Sequence, residues 1–254
     1  MEESYDALLQ NAVEFETSVA QLASGQRLGI SSFPDEHDIE LRLINRRLMN
    51  FLATARAFVD SVKARFSEAG PSLPDGLEAL EAFFSEQFDT SFSYRLMEAL
   101  RNHTQHRASA IAQNLSITRS WRHVSGDSMR QLSVNPQVDR DALVNDKKVR
   151  RATSIEIATT CEDMIDIVPP LREYVRCLGV VADKAREYFA PQYESARASH
   201  SSILKAHIEG EWDAAWITPR NDPLRKEVIF AGWHELRRLE RIRLRNTIFD
   251  PEAA

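Results

Sequence analysis

Apolar residues recur every three to four positions along most of this chain, the spacing of helices that bury one face. Residues 2–23 place Leu8, Leu9, Val13, Phe15, Val19 and Leu22 on a broad face, and Gly25 and Gly29 end the run. After SSFPDE comes a longer stretch through Leu41, Ile44, Leu48, Phe51, Leu52, Ala55, Phe58, Val62 and Phe66. It predicts a helix of roughly eight turns that faces a core along its length. Gly70, Pro71 and Pro74 close it with a short connection, so the next helix should return antiparallel beside it. That helix spans 75–88 through Leu77, Leu80, Phe83 and Phe84, with Asp75 in a capping position. A break is expected at Asp89, Thr90 and Ser91, residues that suit a cap. A fourth amphipathic helix then carries Phe92, Leu96, Leu100 and His103 on its inner stripe.

Between Ile111 and Val138 the period changes. LSITRSWRHV and MRQLSVNPQV are rich in alternating and β-branched positions and flank SGDS, which predicts an antiparallel hairpin with Pro136 at the end or edge of its second strand. From Asp139 the reading is helical to Val168, and a new helix starts at Pro169 and Pro170 and runs through Leu171, Val175, Leu178, Val181, Ala185 and Phe189. LKAHIEGEWDAAWI has helical character up to Gly210, with Trp212 and Trp216 as anchors. ITPRNDPLR is a loop, and 224–248 is expected to be a closing helix with Val228, Leu236, Leu239, Ile242 and Ile248 inward. The organisation read from the pattern is a helical core over 1–110, a hairpin insertion over 111–138 and a helical remainder over 139–254 that packs on the core.

Composition narrows the class. A chain of 254 residues with 43% hydrophobic content and 28% charge can bury a substantial core. No stretch approaches the roughly 18 apolar residues of a membrane span, and the acidic start MEESYDALLQ lacks a secretory signal, so a cytoplasmic setting without membrane contact is expected. Cys161 and Cys177 have no paired spacing and no adjacent His cluster, which indicates neither a disulfide framework nor a zinc site; both are read as packing residues on helices. A net charge of −6 argues against coating nucleic acid non-specifically and leaves room for a local basic patch. Phosphate-loop, GxGxxG, HExxH and GxSxG motifs are absent, and no cofactor or metal is indicated.

The stretch with chemical content is 95–107, RLMEALRNHTQHR. Opposite its inner stripe it gathers Arg95, Glu98, Arg101, Asn102, Gln105 and His106 within about two turns. The order Arg101, Asn102, three residues, His106 resembles the Arg, polar, three-to-five residues, His signature of the HEPN (higher eukaryotes and prokaryotes nucleotide-binding) superfamily. The preceding YRLMEAL and the Gln before His106 are similar to a bacterial branch of longer HEPN-like proteins. The resemblance implies a mainly α, HEPN-type helical bundle, here with an inserted β-hairpin and a C-terminal helical extension. It also implies a metal-independent endoribonuclease, a toxin or defence effector, that cleaves RNA by attack of the 2′-hydroxyl on the adjacent phosphate. RNA would be the substrate and an antitoxin a partner. The alternative is a non-catalytic HEPN-like module that binds RNA or protein; a third reading is a purely structural helical dimer.

In the catalytic reading His106 moves protons, Arg101 holds the phosphate as it gains charge, and Asn102 orients one or the other. The competing account of Arg101 is a cation placed favourably at a helix C-terminus. At about 100° per residue, Arg101 and His106 sit some 140° apart on an unbroken helix. A distorted helix end or a two-fold homodimer whose subunits share one cleft would bring them together, and the resemblance favours the dimer. His103, on the Leu96 and Leu100 stripe, reads as a packed, hydrogen-bonded core histidine. Tyr94, Arg95 and Glu98 are candidates to flank the cleft. Trp121 and His123 are candidates for base stacking or for covering the bundle. KKVRR at 147–151 and RRLERIRLR at 237–245 could each hold phosphates, and the second reads first as a solvated helix face.

Overall fold

The computed structural model describes residues 1–28, 34–73, 75–105, 116–124, 127–207, 214–217, 227–230 and 233–247. It divides into two compact units, Glu3–Val181 and Ala182–Ala254. The protein is mainly α with a β-hairpin, as its hydrophobic periodicity predicts.

In the first unit, α1 (Glu2–Leu28) and α2 (Pro34–Ala69) are the long helices expected from the pattern. On α1 the buried residues are Tyr5, Leu8, Leu9, Ala12, Phe15 and Leu22, whereas Val13 is 48% exposed. Tyr5, Leu8, Ala12 and Phe15 follow one another at three- and four-residue steps, and Val13 lies one position off that stripe. On α2, Ile44, Leu48, Phe51, Leu52, Ala55, Phe58, Val62 and Phe66 are buried as the periodicity requires, and Leu41 is half-buried. A 3-10 turn at Gly70–Ser72 closes α2, with Gly70 at φ 34. The following α3 (Gly76–Thr90) begins after Asp75, which adopts φ 64 and makes no side-chain capping bond. Asp75 thus holds the N-cap position expected of it, but in a left-handed conformation and through its backbone carbonyl, which accepts from Ala79 N, not through its side chain. The expected break is present: Ser91 accepts a hydrogen bond from Tyr94 N and starts α4 (Phe92–Thr104).

Beyond α4, β1 (Ser116–Val124) and β2 (Asp127–Asn135) pair antiparallel, one to one from Ser116↔Asn135 to Val124↔Asp127. The helix expected over 139–168 is instead four short elements: β3 (Gln137–Asp139), α5 (Arg140–Val144), α6 (Arg151–Thr160) and β4 (Met164–Asp166). Asp139 does start a helix, accepting from Asp141 N and Ala142 N, yet α5 ends within five residues. The cause is period: Ile165 and Ile167 flank Asp166 at strand spacing, and β3 and β4 pair antiparallel with buried Val138 opposite buried Ile165. Asp166 then accepts from Val168 N at the start of α7 (Val168–His207), whose first turn holds both prolines where their missing N–H groups cost nothing. Leu171, Tyr174, Val175, Cys177, Leu178 and Val181 of α7 are buried. Cys161 follows α6 and is only half-buried, so of the two cysteines Cys177 alone packs on a helix.

In the second unit, β5 (Ala214–Ile217) and β6 (Glu227–Phe230) form an antiparallel pair; β6 falls where the closing helix was expected, and α8 (Trp233–Thr247) starts later than 224. Trp216 and Val228 thus lie on strands. AAWI and EVIF are short runs with β-branched or aromatic residues, the composition of paired strands. Tyr193 of α7 donates to Glu240 of α8 at 2.8 Å, and Arg243 stacks on the Tyr193 ring. No helix among the described residues is long and apolar enough to cross a membrane.

Candidate functional site

The placement of α4 follows from its unusual burial. Tyr94, Leu96, Met97, Ala99, Leu100, His103 and Thr104 are all buried, because α2, α3, α5 and α6 contact the helix. One strip is left open, and it borders a cleft of about 560 Å³. Arg95, Glu98, Arg101 and Asn102 line this cleft from α4, so four residues of the polar face read from the sequence share one cavity. Across from them stand Arg56 and Lys63 of α2, Glu81 and Asp89 of α3, and Arg150 before α6, over apolar walls that include Phe84, Phe88 and Tyr94. Five cations and three carboxylates line the cleft, and two of the cations, Arg56 and Arg95, are paired with Asp60 and Glu156 just outside the lining, so the charges there are close to balanced.

These cations do different jobs. Arg95 donates to both oxygens of Glu156 on α6 at 2.8 and 2.7 Å, and through Nη1 to the carbonyls of Phe88 at 2.5 Å and Asp89 at 2.7 Å. It closes the C-terminus of α3, where carbonyls lack helical partners, and ties α3 and α6 to α4. The Glu156 hydrogen bond raises the Arg95 pKa, and the same bond holds the Glu156 carboxyl below its ordinary range. Arg95 is thereby spent on structure.

Arg101 is differently placed. Its Nη1 donates to Asn102 Oδ1 at 3.2 Å and lies 3.5 Å from Glu98. Among the described residues nothing engages Nε or Nη2, so a forked donor pair remains for an anion. Asn102 Oδ1 is turned to Arg101, which leaves the Asn102 amide nitrogen as the donor that it presents. Glu98 in turn accepts from Tyr174 Oη of α7 at 2.6 Å. Tyr174 is fully buried, and burial first, then the Glu98 charge, pushes its pKa well above the ordinary value. Tyr94, packed edge-on against Tyr174 with ring centroids 4.8 Å apart, is raised for the same two reasons in the same order. Both phenols stay neutral at physiological pH, so Tyr174 is a fixed donor that sets Glu98, and Glu98 sets Arg101.

His103 sits at the other side of α4. It is buried and its Nδ1 lies 2.7 Å from Asp146 Oδ2, the packed, hydrogen-bonded histidine that its stripe position predicts. Helix α4 ends at Thr104, and Gln105, exposed, is its C-cap. His106 lies outside the described residues, as do the side chains of Trp121 and His123.

Sequence reasoning singled out Arg95, Glu98, Arg101 and Asn102 and missed Arg56, Lys63 and Tyr174, each of which looked like an ordinary helix position. Arg56 pairs with Asp60 at 2.9 Å, and Lys63 lies 3.8 Å from Glu81 and 5.4 Å from the Phe84 ring centre. The signal for Tyr174 was its spacing, three after Leu171 and four before Leu178, which marks a polar-tipped aromatic on a core stripe. Among the described residues, no three His, Cys, Asp or Glu side chains converge as a metal site would require. Comparison of the chain with known protein families, curated proteins and solved structures gave no match.

Proposed function

We propose that the protein is an HEPN-like, metal-independent endoribonuclease whose cleft on α4 binds the scissile phosphate of RNA. The observation that carries the reading is Arg101: a guanidinium with donors to spare, backed by Glu98 and Tyr174, in a cleft that it shares with Asn102 and Arg150. Such a fork matches two oxygens of a phosphate as charge grows on it. Asn102 presents its amide to the same space, and His106 supplies proton transfer. In this reading the active unit is a two-fold homodimer in which one cleft draws on both subunits.

One observation favours a second reading, a non-catalytic RNA-binding module. Arg101 already has a carboxylate at 3.5 Å, and a partly neutralised cation suits holding a phosphate as well as it suits cleaving beside one. Incubation with mixed RNA in the presence of chelator, followed by analysis of product ends, separates the two. Cleavage that leaves 2′,3′-cyclic phosphates, abolished in Arg101→Ala and His106→Ala, supports the nuclease. Retained RNA binding by all three proteins without cleavage supports the module.

A further inference from the structure

A second, shallower groove of about 840 Å³ lies beside the cleft, and the two share one residue, Arg150. Its rim is KKVRR: Lys147, Lys148, Arg150 and Arg151 all line it and all are exposed, while Val149 between them is buried. Several other arginines of this unit are matched with acids, as in Arg47 with Glu14, Arg65 with Glu68 and Arg172 with Glu16. None of the four rim cations has a carboxylate partner among the described residues. Four adjacent cations beside one groove carboxylate, Asp146, leave a positive excess whose mutual repulsion an incoming polyanion relieves.

The turn that carries them is held from beneath. Asp146 accepts from Lys148 N through Oδ1 at 2.9 Å, Val149 N donates to the Asp146 carbonyl at 3.0 Å, and Oδ2 of the same carboxylate meets buried His103 of α4. Arg150 is fixed separately, its guanidinium 5.0 Å from the centre of the Phe88 ring. The basic turn and the Arg101 strip are thus mounted on one helix, with Arg150 at the junction.

We infer that a single-stranded RNA backbone leaves the Arg101 cleft past Arg150 and runs along the 147–151 groove, where Lys147, Lys148 and Arg151 bind its phosphates. The inference rests on the proposed reading of the cleft as an RNA site and adds the path of the strand outside it. Phosphate contacts of this kind set affinity and salt dependence and carry no sequence preference.

The test uses the full chain, a fluorescent oligouridylate and anisotropy titrations over a range of salt. In the Lys147→Gln, Lys148→Gln, Arg151→Gln triple variant, affinity at low salt should fall at least tenfold. The slope of log affinity against log salt should shrink by about 0.7 for each phosphate that the variant no longer neutralises. The charge-keeping Lys147→Arg, Lys148→Arg variant should behave as the parent, and turnover of a dinucleotide, too short to reach the groove, should be unchanged in both. An unaltered slope and affinity in the triple variant, with the parent still cleaving RNA, overturns the groove and leaves the nuclease reading intact. Weakened binding in the triple variant, with no cleavage by the parent, supports the groove and removes the nuclease. Equal affinity of the parent for a polyglutamate of the same charge overturns the assignment to nucleic acid, and a parent that binds no RNA overturns both readings.

Discussion

The guanidinium of Arg101 and the amide of Asn102 form a pair whose donors are aimed by their neighbours, not by the ligand. Replacing Arg101 with Lys keeps a charge and removes the fork, so the proposed cleavage should fall by about a hundredfold, the scale seen when one aligned donor to a developing charge is removed. Single-turnover rates on one RNA measure it, and a Lys variant with full activity removes the forked contact from the mechanism. The two phenols behind this pair make a second prediction. Because burial and Glu98 raise Tyr94 and Tyr174 above the ordinary tyrosine value of 10.0, folding is favoured in full below that value. Stability should decline as pH rises through it, since the unfolded chain ionises there and the folded one does not. Tyr94→Phe should therefore tolerate higher pH than the parent in alkaline unfolding followed by circular dichroism.

At the scale of elements, Arg95 decides how α3, α4 and α6 sit together. Arg95→Met removes the ion pair with Glu156 and the two carbonyl bonds while keeping much of the side-chain volume, and should cost about 2 kcal/mol in urea unfolding. The Arg95 to Glu156 bond depresses the Glu156 pKa, so its contribution is present above the ordinary carboxylate range and is lost as pH falls through the folded value. An acid titration of stability should be shallower in Arg95→Met than in the parent. Leu100→Ala, at a fully buried point of α4, should cost about 2–5 kcal/mol. The long helices were legible in the sequence because Ile44 to Phe66 or Leu171 to Val181 repeat often enough to fix a period. The short elements were not: α5 and α6 together have fifteen residues, and β3 and β4 have three each, too few to show a period against β-branched neighbours. The polar strip of α4 was legible because Arg95, Glu98 and Asn102 recur at helical spacing on the side opposite Leu96, Leu100 and His103. The far wall of the cleft was not, because Arg56 and Lys63 come from another helix, and sequence gives no distance across a fold.

At the scale of the whole molecule, the balance between a net charge of −6 and a local cationic track governs what is bound. In the proposed reading the bulk of the surface repels RNA and the groove attracts it, so binding should weaken steeply with added salt. If two chains complete one site, specific activity should fall on dilution below the dimer dissociation range, with sedimentation velocity recording the same midpoint; a monomer with undiminished turnover per chain rules out shared clefts. The turn at 145–149 bears on how quickly a strand is taken up. Its carboxylate is engaged on one oxygen by its own backbone and on the other by an imidazole in the core, so the lysines it carries start from an anchored base. On the proposed path, the arriving strand would do the adapting. Stopped-flow mixing with a short RNA should then give one exponential whose rate grows linearly with RNA concentration and shows no plateau, as a docking surface that needs no prior rearrangement requires.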